Sequence, residues 1–235
     1  MAMITTILWD VDGTLLDFIY SQRLSMKKCF ETIGRKITDD MLERYSLIND
    51  GYWKRLELGE VTKEELLLGR FATFFEEYGM KDVDVEAFAR EYQENLGRLY
   101  CLNPGAMEVC RELKGRVKQY VVTNGVTATQ ESKLALSGLS PLMDGFFISE
   151  AVGAPKPRKE FFDHCLSHIE EKDKNRIMIV GDSLSSDIKG GADAGIRTCL
   201  YHPKEEQGHA ALDGWHDSVV PDHEICDLRQ VLDLL

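Results

Sequence analysis

Short apolar runs recur along this chain, and the polar residue that closes each one constrains the fold more than any other feature. Residues 5–9 (TTILW) are closed by Asp10. Similar runs stand at 119–123 (QYVVT), 146–149 (FFIS), 177–181 (IMIVG) and 198–201 (TCLY). Their length and their β-branched and aromatic content predict buried strands. Helix-like segments separate the later runs. One has Pro104 in its first turn and ends near Gly115. A second starts at Thr127, where Thr127 and Gln130 have capping-box spacing, and stops at Gly138. A third follows Pro157, and a fourth covers Asp187 to Ala194 and stops at Gly195. Strands alternating with helices predict an α/β fold: a Rossmann-like parallel sheet with helices on both faces.

The stretch from residue 16 to 103 breaks that alternation. It shows helical periodicity and no convincing strand. Leu24, Cys29, Phe30 and Ile33 can share one helix face. So can Leu67, Phe71, Phe74, Phe75 and Tyr78, in a helix opened by a Thr62–Glu65 capping box. The aromatic stripe reads as core rather than as a ligand wall. The expected organisation is therefore an α/β core of residues 1–15 and 104–235, interrupted by a helical cap domain at 16–103. After His202 the tail is polar, carries Gly208, Gly214 and Pro221, and is expected to form loops and a last helix from about Cys226 to Leu235.

Charge and cysteines narrow the partners. The chain of 235 residues carries 40 Asp+Glu against 28 Lys+Arg, a net charge of -12. Such a surface repels a polyanion, so nucleic-acid polymers are not expected partners. Six cysteines without a CxxC pair are expected as free thiols in a reducing compartment. No apolar run approaches the ~20 residues of a membrane span. The expectation is a soluble cytoplasmic protein, a monomer or small homo-oligomer, acting on a small molecule.

Ligands of open parallel sheets bind beyond the carboxyl ends of the strands, and the residues expected there are unusual as a set. The first strand ends in Asp10-Val11-Asp12-Gly13-Thr14, the second in Thr123-Asn124-Gly125. Lys156 follows the third, and the fourth ends in Gly181-Asp182 with Asp187 beyond. Two carboxylates ~4 Å apart repel by roughly 4 kcal/mol at an effective dielectric of 20, so a cation must offset the cluster or its members must protonate. Oxygen ligands without Cys or His suit a hard ion such as Mg²⁺, which also takes phosphate oxygens. Lys156 adds a point charge suited to phosphate. Thr123 and the backbone around Asn124 and Gly125 add donors. Each motif alone is an ordinary turn or cap. Together, in this order, they form an electrostatic clamp for phosphoryl transfer.

This motif set resembles the haloacid dehalogenase-like hydrolase superfamily along nearly the whole chain, and the helical insertion resembles its helical-cap subclass. The resemblance implies that Asp10 is the nucleophile of an aspartyl-phosphate mechanism and Asp12 the general acid/base. It implies phosphate binding by Thr123, Asn124 and Lys156. It further implies Mg²⁺ held by Asp10, the Asp12 backbone carbonyl and Asp182, with Asp187 a direct or water-mediated ligand. A dehalogenase displaces halide without a proton, so Asp12 argues for phosphate esters. The segments TNGVTATQESKLALSGL, FISEAVGAPKP and GDSLSSDIKGGADAGIRTCLY are similar to the pyrimidine 5′-nucleotidase branch. That likeness implies nucleoside monophosphates as substrates. Phosphoglycolate or sugar-phosphate hydrolysis, or phosphomutase chemistry, is the alternative within the superfamily. A catalytically silent binding module is the alternative from another class, disfavoured by the complete set of acids. Lys27, Lys28, Lys54 and Lys63 read as solvated, as do His164 and His168, four residues apart. Tyr20, Tyr52 and Trp53 read as packing.

Overall fold

A computed structural model describes residues 3–203 and 219–235. His209 and His216, and the turn residues Gly208 and Gly214, lie outside the described residues. The chain divides into two compact units, Met1–Asp17 with Cys101–Leu235, and Phe18–Tyr100.

The first unit is built on a six-stranded sheet in the order β3-β2-β1-β4-β5-β6. The strands are β1 (Thr6–Trp9), β2 (Lys118–Thr123), β3 (Gly145–Ile148), β4 (Ile177–Gly181), β5 (Arg197–Tyr201) and β6 (His223–Ile225). Every pairing is parallel. β1 lies at the centre: Trp9 is in register with Val121 on one side and Val180 on the other. The chain builds outward from β1 through β2 and β3, then crosses back to continue as β4 to β6. β1 therefore stands at the topological switch point, where the connections diverge and leave a crevice.

The strands are buried on both faces, which is why they read as continuous apolar runs rather than as alternating ones. Leu8, Val122, Ile177 and Ile179 pack with Phe161, Phe162 and Cys165 of the helix Lys159–His168. On the opposite face, Gln119 accepts a hydrogen bond from the Trp9 indole at 3.1 Å. Its amide donates to the Cys110 carbonyl at 2.9 Å, tying the sheet to the helix Ala106–Leu113.

Three details of this unit differ from the sequence reading. β6 is a strand where loop was expected, because its three residues, two of them polar, carry no periodicity. Asp222 secures it by accepting from the Thr198 backbone at 2.9 Å. The final segment is a 3-10 turn over Leu228–Leu234, shorter than the expected helix. The third concerns the two chain crossings into the insertion, which pair with each other. Leu16 bridges Leu102, and the Asp17 N–H donates to the Cys101 carbonyl at 2.9 Å. That pairing places residues 16–17 and 101–103 with the sheet rather than with the insertion.

The second unit consists of α1 (Phe18–Thr32), α2 (Asp39–Leu58), α3 (Lys63–Glu77) and α4 (Val85–Arg98). Side chains define the helix starts: Thr38 and Asp84 cap α2 and α4, and the Thr62–Glu65 capping box is formed. Phe71, Phe74 and Phe75 pack with Cys29, Phe30, Tyr45, Phe88 and Tyr92. The aromatic stripe is core; Phe75 meets Phe88 edge-on at 4.9 Å, and Tyr45 stacks on Phe71 at 5.3 Å. Two members of the expected stripe are not buried with it, since Leu67 is half-buried and Tyr78 is exposed. Tyr52 bonds Thr73 at 3.0 Å, Trp53 lies under the Lys63 ammonium, and Tyr20 is exposed.

In the first unit, the helices after the insertion are α5 (Ala106–Leu113), α6 (Thr127–Leu136), α7 (Ser149–Val152), α8 (Lys159–His168) and α9 (Lys189–Ala194). All six cysteines are free, four of them buried. Among the described residues, no helix is long and apolar enough to cross a membrane.

Candidate active site

The loop after β1 is shaped before any ligand is considered. The Gly13 N–H donates to the Leu16 carbonyl and the Leu16 N–H to the Val11 carbonyl, both at 2.8 Å. Gly13 takes φ +96°, a region that favours glycine. A Cβ there would lie 2.2 Å from Asp182 Oδ2, so glycine is required by space as well as by backbone. Asn103 donates its side-chain amide to the carbonyls of Gly13 and Thr14 and pins the loop from outside. Thr14, buried, donates to Asp182 Oδ1 at 3.2 Å. The glycine and threonine of the first motif therefore serve the acid of the fourth strand.

Asp10 follows β1 directly, and its N–H donates to Val180 of β4 at 2.9 Å. Its carboxylate accepts from Lys156 Nζ at 2.6 Å. The same ammonium donates to Asp187 Oδ1 at 2.6 Å and to the Val122 carbonyl at 2.9 Å. An ammonium has three N–H donors, and all are used. Lys156 and Asp187 are each 1% exposed and Asp10 6%, so this is a desolvated charge triad. Asn124 holds the lysine in place: its amide donates to the Lys156 carbonyl at 2.9 Å and accepts the Lys156 N–H at 2.8 Å. The Asn124 side chain is thus tied to the Lys156 backbone. Thr123 is buried, and its hydroxyl accepts from the Gly125 N–H at 3.0 Å.

Asp187 sits in a wide helical turn, Leu184–Ile188, begun by Ser183. The Ser183 N–H donates to Asp187 Oδ2 at 3.3 Å. A Cβ on Gly181 would lie 2.3 Å from the Asp187 carboxyl group. The glycine of Gly181-Asp182 thus makes room for the next acid, as Gly13 does for Asp182. Carboxylate oxygens of Asp10, Asp182 and Asp187 lie within 4.8 Å of one another, the one such metal-competent group among the described residues. His164 and His168 stack at 4.1 Å on α8 without a third ligand among the described residues.

The electrostatics fit a cation. Burial pushes the Asp10 carboxyl up to about 7, Lys156 opposes that rise, and the Asp187 carboxylate adds to it. Asp182, exposed at the mouth, is pushed well above the ordinary range by the protein around it and then by Asp10 and Asp187. Burial alone would lower Lys156, but Asp10 and Asp187 outweigh it and hold the amine charged. One ammonium leaves the acid cluster under-neutralised. An all-oxygen donor set with that deficit suits a divalent hard ion.

The sequence reading missed the partners of Asp12. Gln130 Nε2 donates to Asp12 Oδ2 at 2.6 Å, and Lys133 Nζ pairs with Asp12 Oδ1. Gln130 had been expected to cap its own helix. Instead α6 has no side-chain cap, and Glu150 accepts from both the N–H and the hydroxyl of Thr127 at 2.8 Å. The available signal was position: α6 starts four residues after β2 ends, so its first turns lie beside the carboxyl edge of the sheet.

Comparison with known proteins agrees with this architecture. The haloacid dehalogenase-like hydrolase family model matches residues 4–195. The HAD-hydrolase YfnB of Bacillus subtilis is 34% identical over 98% of this chain and 94% of its own. Its crystal structure, described as bound to magnesium, superimposes with a TM-score of 0.90 over 100% of this chain and 99% of that one. Pyrimidine 5′-nucleotidase PynA of Streptococcus pneumoniae is 32% identical over 97% of this chain and 94% of its own. Pyrimidine 5′-nucleotidase YjjG of Escherichia coli is 31% identical over 87% and 90%. The chain belongs to the haloacid dehalogenase-like hydrolase family and is a phosphatase of it.

Proposed function

We propose that this phosphatase is Mg²⁺-dependent and removes the 5′-phosphate of pyrimidine nucleoside monophosphates through an aspartyl-phosphate on Asp10. The observation that carries the chemistry is the Lys156 ammonium bonded to both Asp10 and Asp187 at 2.6 Å, with Asp182 in the same cluster. The substrate class rests on the two nucleotidase relatives, each matched along most of its length. A cytoplasmic location, where such nucleotides occur, belongs to the same proposal.

Asp10, Asp182, Asp187 and the Asp12 carbonyl would hold Mg²⁺, which when bound neutralises phosphate charge and orients it for in-line attack. Lys156 holds the Asp10 carboxylate in place and offsets the charge that gathers as phosphate approaches it. A carboxylate oxygen of Asp10 bonds phosphorus while the ester P–O bond breaks, and the Asp12 carboxyl gives its proton to the departing oxygen. In the second half, Asp12 takes a proton from water as that oxygen bonds phosphorus. The Asp10–phosphorus linkage then breaks and inorganic phosphate is released. The Thr123 hydroxyl and the backbone beside it bind phosphate oxygens.

A panel of monoesters at equal concentration, with and without Mg²⁺, tests the reading. The expected result is highest kcat/KM for UMP, dUMP or dTMP and loss of turnover with chelator. Preference for phosphoglycolate or a sugar phosphate would overturn the substrate assignment but not the chemistry.

A further inference from the structure

The mechanism above leaves unexplained why a lysine is buried on α6 beside the site. Lys133 is 1% exposed, and so is Gln130, one helical turn earlier. At a spacing of three the two share a face. Burying an ammonium costs several kcal/mol, and an apolar side chain of similar volume is often equal or better for stability. Packing therefore gives no reason for a lysine at this position. Its partner is Asp12, whose side chain stays 24% exposed. A fully desolvated cation is spent on a carboxylate that remains open to the site.

We propose that Gln130 and Lys133 are positioning residues for Asp12, fixing the plane of its carboxylate so that one group can serve both proton transfers. The inference rests on reading Asp12 as the general acid/base. The loop hydrogen bonds described above fix the Asp12 backbone, but its side chain still has two rotatable bonds. One donor on each oxygen removes that freedom. A carboxylate has about four lone-pair sites, so each oxygen keeps one for the reacting proton. Misplacing a reacting group by about 1 Å can cost ~100-fold in rate, which gives such a clamp its value.

Two further features fit. A Cβ on Gly125 would fall 1.9 Å from Gln130 Nε2. The glutamine amide therefore crosses the backbone at Gly125 on its way to Asp12, and the glycine of Thr123-Asn124-Gly125 keeps that path open. Gln130 Oε1 has no hydrogen-bond partner among the described residues, so Asp12 is the contact that orients the amide. Turning the amide over would set its oxygen against a carboxylate, which has no proton to share when ionised.

Leaving-group dependence tests this. Dinitrophenyl phosphate expels a weakly basic oxygen that needs no proton, whereas UMP expels an alkoxide that does. Lys133→Met and Gln130→Ala are expected to lower kcat/KM on UMP by about 100-fold. On dinitrophenyl phosphate they should lower it by less than about tenfold. Lys133→Arg should recover part of the loss. Equal losses on both esters, or a rise in KM for UMP with kcat unchanged, would overturn the inference. Should Lys133→Met fail to fold, Gln130→Ala decides, because it removes the amide contact to Asp12 and leaves the Lys133 pairing in place. Asp12→Asn is the control: if it lacks the leaving-group signature, the acid/base reading fails, and if it alone has it, the positioning claim fails.

Discussion

The two units bury polar groups in opposite ways. In the sheet unit, buried charge is paired: Lys156 meets Asp10 and Asp187, and Lys133 meets Asp12. In the helical unit a single guanidinium, Arg70, is buried without a carboxylate. It donates to Asn49 Oδ1 at 2.6 Å and lies over the rings of Phe71 and Tyr92 at 4.8 and 5.1 Å. Among the described residues its Nε and Nη2 find no acceptor. The helical unit tolerates one imperfectly satisfied cation inside an aromatic core. The sheet unit gathers opposite charges where apolar packing would cost less. Charges collected against the preference of packing mark a place kept for chemistry.

Mutations at matched depth should separate the two cases. Asp10→Asn is expected to lower turnover by at least about a thousandfold and to abolish acid-stable phosphoenzyme in a quenched reaction. Normal turnover would remove Asp10 from its role. Lys156→Met strands two acids and should cost about 3–5 kcal/mol by urea unfolding without metal, with part of the loss restored by Mg²⁺. Arg70→Met leaves an amide acceptor unpaired but adds apolar contact, so the expected cost is smaller, about 1–3 kcal/mol. Equal losses in these two variants would erase the contrast.

The smallest effect is a pH dependence. Asp10 is raised in the folded protein, so its contribution to metal-free stability is full below the unfolded carboxyl value of about 4. That contribution is lost as pH rises through about 7. Under the proposed Mg²⁺ dependence, the ion must displace the same proton. Its affinity, measured by calorimetry, should rise about tenfold per pH unit up to about 7 and then level. A flat profile, or one that Asp10→Asn leaves unchanged, would assign the proton elsewhere.

Much of the sheet unit was legible because its information is local. Strands buried on both faces are continuous apolar runs, and a chemical residue stands immediately after β1, β2 and β4. Capping at Thr62 and the aromatic core of α3 were legible for the same reason. β6 was not, because three residues paired to Cys199, Leu200 and Tyr201 owe their extended form to the neighbouring strand. Gln130 was misread because capping-box spacing is a local rule. The pull of Asp12, 118 residues away in sequence, outcompeted it.

By itself the sequence put Asp10, Thr123 and Asp182 at the ends of apolar runs, with Lys156 and Asp187 a few residues beyond, because strands buried on both faces read as continuous apolar stretches. Tertiary structure alone decided how those groups are held. It set Lys156 between two carboxylates, turned Asn124 inward onto the Lys156 backbone, and brought Gln130 and Lys133 to Asp12. Such pairings depend on distances between chain segments far apart in sequence, and no periodicity or spacing within one segment encodes them.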